Sequence, residues 1–220
     1  MKKFFRNNGL SIVLLLIFVV CLIAQIFTGF KVHNNDLKEK GAATIDLISY
    51  LHSGHFIETT FENWESEFLQ MGMFVILSAF LYQKGSSESK DPDEKEEEAE
   101  ENFTAKNKKD IPWPVRKGGF ILLLYKYSLS IAFIILFLLS FILHFYGSLN
   151  NYNEEQLLDG KKTSVAMEYL TSSHFWFESF QNWQSEFLAV FSVVVFSIFL
   201  RHKGSSQSKK ITDPNDKTGE

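Results

Sequence analysis

The chain has 220 residues, 45% of them hydrophobic and 22% charged, with a formal net charge of -4. A single cysteine, Cys21, excludes an intramolecular disulfide framework. No basic excess points to nucleic acid. The averages conceal a segregated composition: residues 91–101 hold eight acids and one lysine, while the apolar residues gather in long runs.

The first run, Leu10–Phe27, has 18 residues and one strongly polar member, Gln25. A bilayer span needs about 20 apolar residues. Lys2, Lys3 and Arg6 would also suit a signal peptide. The run is long for that role, however, and no small-x-small cleavage site follows it. It is read as a retained helix. Phe68–Tyr82 and Phe187–Leu200 are shorter, at 15 and 14 residues. Fifteen helical residues cover only about 22 Å of a ~30 Å hydrocarbon core. Each must therefore recruit the residues before it, which brings Trp64 and Trp183 to the headgroup level as interface anchors. Ser128–Tyr146 is a clear further span.

The chain repeats itself. SGHFIETTFENWESEFLQ at 53–70 matches SSHFWFESFQNWQSEFLA at 172–189, an offset of 119 that holds without a gap from Leu10/Leu129 to Lys90/Lys209. Thirty of those 81 positions are identical, 20 of them within 53–90. Two apolar helices would not share F-x-N-W-x-S-E-F-L and KGSS-x-SK in register by chance. The expected fold is therefore an all-α membrane protein with four transmembrane helices. These form two tandem helical-hairpin repeats related by a pseudo-two-fold along the membrane normal. The first repeat covers 1–84 (spans about 9–30 and 61–82), the second 120–203 (spans about 127–147 and 180–201). Residues 85–110 are expected to be a disordered acidic linker, 111–119 an interfacial segment and 204–220 a flexible tail.

Lysine and arginine set orientation. The N-terminus, residues 83–119 and the C-terminal tail hold 16 of the 22, and the loops at 31–60 and 150–180 hold 5. Both termini and the linker are read as cytoplasmic. Lys84 and Lys203 then snorkel to the cytoplasmic interface as anchors, and Gly85 and Gly204 end their helices. Ser53 and Ser172 are read as N-caps.

On the second helix, Asn63, Ser66, Glu67, Gln70 and Ser78 fall within an arc of about 120°. Four of these recur as Asn182, Ser185, Glu186 and Ser197, whereas Glu62 and Glu65 lie outside the arc and do not recur. Gln25 and its counterpart His144 should lie at the depth of the carboxylates, about 21–22 Å above the cytoplasmic ends. The candidate intramembrane polar cluster is Gln25, Asn63, Ser66, Glu67, His144, Asn182, Ser185 and Glu186. It supports three readings. Glu67 and Glu186 would be proton or cation ligands with His144 as partner, or the same groups would hydrogen-bond between helices and hold a bundle together, or Glu67 would sit high enough to reach headgroups and water.

No catalytic, cofactor-binding or metal site is expected. The chain has no nucleophile elbow, phosphate loop, dinucleotide fingerprint or H-E-x-x-H pattern. His52 and His55 are i, i+3, but Thr171 replaces the first of them in the second copy, so the histidines are read as cap or interface residues.

The segments FFRNNGLSIVLL, SGHFIETTFENWESEFLQ, QKGSSESKDPDE, PWPVRKGG and SSHFWFESFQNWQSEFLAV together resemble a family of small bacterial multi-pass membrane proteins known as a domain of unknown function. The likeness covers nearly the whole chain. It implies a bacterial plasma (inner) membrane location and no activity, substrate or cofactor. The functional expectation is a non-enzymatic structural or interaction role in the cell envelope. Its partners would be the lipid bilayer, a second copy of the chain, and a cytoplasmic protein reached through residues 86–110. The alternative is a small proton or ion channel or transporter using Glu67 and Glu186.

Overall fold

A computed structural model describes residues 2–92 and 111–219. Among them the secondary structure is helical, without strands. The helices are α1 (Lys2–Glu39), α2 (Leu47–Leu51), α3 (Gly54–Phe80), α4 (Trp113–Lys117), α5 (Gly119–Lys126), α6 (Ser128–Leu158), α7 (Ala166–Leu170) and α8 (Ser173–Phe199). Most of the acidic linker expected at 85–110, from 93 onward, lies outside the described residues.

Among the described residues three helices are long and apolar enough to cross a membrane: Lys3–Glu39, Ser128–Leu158 and Ser173–Phe199. Helix α3 has the same 27 residues as α8 but is not one of them. The reason lies in composition. In its apolar half Gln70, Gly72 and Ala79 stand where α8 has Ala189, Phe191 and Ile198, which lowers the hydropathy of α3. Helix α1 is longer than its apolar run, since 38 residues extend about 57 Å. It continues through Lys31–Glu39, which the sequence reading placed in a loop.

The caps follow local chemistry. Ser53 and Ser172 accept the amides of Phe56 and Phe175 at 3.3 and 3.4 Å, satisfying a donor in the first turns of α3 and α8. Asp46 caps α2 by accepting from Ser49 N at 2.9 Å. The C-terminal expectation needs correction. Helices α3 and α8 stop at Phe80 and Phe199, and Gly85 and Gly204 lie five residues beyond, in turns with φ of 87° and 85°. Pro112 precedes α4, Gly118 ends it at φ 67°, and the Lys117 ammonium lies 5.2 Å from the Trp113 ring.

The offset of 119 reappears as geometry. Helices α2 and α3 become α7 and α8 when their bounds are shifted by it, and the ends of α1 and α6 differ by it too. The Asn34 side chain closes a loop on the backbone of Ile45, and Asn153 does the same with Ser164. Ser89 accepts the amide of Gln83 at 2.9 Å, and Ser208 that of His202 at 2.8 Å. Identical side chains at repeated positions thus make identical local bonds.

The chain divides into two compact units, Met1–Glu62 with Phe141–Trp176, and Asn63–Ser140 with Phe177–Glu220. In the first unit α3 and α6 meet backbone to backbone. A Cβ on Gly54 would lie 2.8 Å from the Gly147 carbonyl oxygen, and one on Gly147 would lie 2.8 Å from Ile57 Cγ2 and 2.9 Å from its carbonyl carbon. Small residues permit this approach where helices associate in an apolar medium. Around it are the buried rings of Tyr50, Tyr169 and Phe175.

In the second unit the tail, expected to be flexible from Gly204, forms turns around Lys209. That lysine is 2% exposed, and its ammonium donates to the carbonyls of Gly85, Pro214, Asn215 and Lys217. Gly85 N donates to Thr218 Oγ1 and Gly219 N to the Ser86 carbonyl, both at 2.9 Å. Residues 85–90 therefore share one hydrogen-bonded knot with the tail.

Candidate functional site

The eight residues of the expected polar cluster divide between the two units. In the first unit, Gln25 on α1 is half-buried and donates through Nε2 to Thr60 Oγ1 at 3.2 Å. His144 on α6 has no exposed surface, and its ring lies 5.1 Å from that of Phe175. One turn further along α6, Ser148 donates to Glu58 Oε1 at 3.3 Å and shares a hydrogen bond with the Tyr169 hydroxyl. Glu58 is itself buried, at 8% exposure.

The other six residues lie in the second unit. Ser66 is buried and Ser185 exposed, and their hydroxyls donate to the carbonyls of Asn63 and Asn182, both at 2.8 Å. Asn182 donates to the Glu178 carbonyl at 3.2 Å. Glu67 and Glu186 come within electrostatic reach of each other, and Gln70 Nε2 donates to the backbone oxygen of Glu186 at 3.4 Å. The stripe is not buried as a whole: Asn63 and Glu67 are exposed and Glu186 is half-buried.

Within the second unit α3 buries a different carboxylate, Glu65, which has no exposed surface. Its Oε1 accepts from Trp183 Nε1 at 2.9 Å. The indole edge also packs against Phe137 and Phe180, at 6.4 and 5.4 Å between ring centroids. Trp183 thus serves a buried acceptor; like Trp64 it is half-buried, and Lys84 and Lys203 are exposed. The physical reason is rotation: α3 turns Glu65, Ser66 and Gln70 inward, about a quarter turn from the repeated stripe.

Removing the indole donor takes one hydrogen bond from a carboxylate with no exposed surface. Trp183→Phe is therefore expected to cost about 1–3 kcal/mol. Glu65→Gln, which keeps an acceptor in place, should cost less. Unfolding midpoints of the purified protein in detergent measure both.

Two further buried groups escaped sequence reasoning. His33 and Tyr50 are 5% and 0% exposed, and both rings lie beside His55, at 5.0 and 5.9 Å. The available signal was the recurrence of Tyr50 as Tyr169 and of His55 as His174. Among the described residues no group of three or more histidines, cysteines or acids is arranged to hold a metal ion.

The whole chain, residues 1–220, matches the model of a family described as a domain of unknown function, DUF6766. The chain belongs to this family. No curated protein and no solved structure matches it. Family membership, helical architecture and three membrane-length apolar helices are the firm description of this protein.

Proposed function

We propose that the chain is a four-span integral protein of the bacterial plasma membrane, built as two tandem hairpins about a pseudo-two-fold along the membrane normal. Its termini and acidic segment face the cytoplasm. Its role is structural and interactive: a helical platform that holds the acidic segment at the membrane surface for a cytoplasmic partner. One observation carries this reading. In each unit polar side chains join segments distant in sequence, as in Gln25–Thr60, Ser148–Glu58, Gln70–Glu186 and Trp183–Glu65. In an apolar medium such bonds hold helices together.

Residues 85–90 belong to the knot around Lys209, so the test deletes 93–110 and spares it. Full chain and deletion are each used to capture cytoplasmic proteins. The expected result is a partner held by the full chain and lost from the deletion, with helical content unchanged. Capture of the same partner by both would overturn the docking role.

A second reading, proton or ion conduction, rests on the closeness of Glu67 and Glu186. An ionisable pair within a span is costly and faces water, a second copy or the bundle interior. Flux in proteoliposomes that Glu67→Gln/Glu186→Gln removes would establish a conduction path. Absence of flux from the folded protein would leave the platform role.

A further inference from the structure

The two copies of the repeat differ at one place in a way that bears on function. In the second copy, Tyr169 shares hydrogen bonds with Ser148 Oγ and, at 3.3 Å, with His174 Nδ1. Tyr152 packs 5.0 Å from Tyr169 and 5.4 Å from His174. The first copy has Tyr50 and His55 at the same positions, but His33 stands where the second has Tyr152, and Gly29 where it has Ser148. The Tyr50 hydroxyl rests against Gly29, which offers it no side-chain partner. Three buried atoms are left without hydrogen bonds: Tyr50 Oη, His33 Nε2 and His55 Nδ1. Buried polar groups are paired in all but a few cases, so three together call for an explanation.

A cavity of about 30 Å³ adjoins them, lined by His33 and His55. It has room for one water-sized guest. Its other polar walls are Asp36 from α1, Lys40 in the turn just after it, and Asn151, Glu154 and Glu155 from α6. Lys40 is already paired with Glu155 at 3.5 Å. We propose that His33 and His55 form a proton-responsive latch between the C-terminal end of α1 and the first turn of α3. The neutral pair lets the rings pack at 5.0 Å beside the cavity. A proton on either ring places a charge beside the other imidazole, in a space that holds too little water to solvate it. The ring then gains by moving toward solvent, and the α1–α3 contact loosens.

Burial, followed by the neighbouring His33, holds the His55 imidazole below its ordinary range, and Asp36 and Glu155 oppose this less strongly. The sign follows from linkage. A histidine less readily protonated when folded than when unfolded contributes stability that is full above the unfolded value of about 6.5 and falls as pH drops below it.

The test uses the full chain in detergent. Unfolding midpoints are compared between pH 8 and pH 5 for the wild type, for His33→Tyr, which installs the residue of the second copy, and for His174→Gln. The wild type and His174→Gln should lose about 3 °C or more over that interval beyond the loss in His33→Tyr. An equal loss in all three would overturn the proposal. Imidazole-nitrogen NMR of the wild type supplies a measurement independent of any variant. The His55 imidazole should titrate below the ordinary value of about 6.5, and titration at that value would overturn the latch. Zinc titration closes the set: one-to-one binding that His33→Tyr abolishes would make this a metal site and displace the proton reading.

Discussion

Gly147→Ala is expected to be among the most damaging single-methyl changes in the chain. The added Cβ would meet the backbone of Ile57 and Glu58 on α3, and no flexible side chain stands there to give way. Overpacking of this kind costs about 1–3 kcal/mol, more where backbone must move. Gly54→Ala presses the same contact from the other side, meeting Asn150, Asn151 and the Gly147 carbonyl. The two changes strain one contact, so the double variant should fall short of additivity. Ser173→Ala, at the position that repeats Gly54, is the control; the site is exposed and should shift stability by no more than about 0.5 kcal/mol. Unfolding in detergent measures all four. A Gly147→Ala protein as stable as the wild type would refute the close approach of α3 and α6.

Lys209→Met is expected to release the tail without unfolding the helices. The lysine donates to four backbone carbonyls, and a thioether replaces none of those bonds. Leaving buried carbonyls unpaired costs about 2 kcal/mol, which is roughly a thirtyfold change in an equilibrium. The loss should be local, because opening free energies vary across a structure. Amide hydrogen exchange reads it directly: the amides of Gly85 and Gly219, each bonded across the knot, should exchange about thirty times faster. Amides in the middle of α8 should not change. Exchange at Gly85 unaffected by the substitution would show that the knot holds without its lysine.

Much of this was legible in the residues. Apolar run length predicted helices where α1, α6 and α8 stand, and the serines before α3 and α8 act as the caps their chemistry suggests. Such features depend on a few neighbouring residues, so the sequence carries them directly. The offset of 119 is of the same kind: equal local sequence makes equal local turns, as Asn34 and Asn153 show.

The orientation of α3 was not legible. Helical periodicity states which residues share a face and is silent on which face turns inward. Recurrence favoured Asn63 and Glu67, yet the carboxylates α3 buries are Glu58 and Glu65, neither of which recurs. The partner of Glu65 is an indole 118 positions away in sequence, and only three-dimensional packing brings the two together. The same holds for His33, an unremarkable residue near the end of an apolar helix until α2 and α3 set Tyr50 and His55 beside it. By itself, then, the sequence determined the long apolar helices and the serine caps that open α3 and α8, because these are local. Tertiary structure alone decided which polar groups are paired, which are stranded and where the backbones touch. Those outcomes depend on helix rotation and on side chains contributed from distant positions.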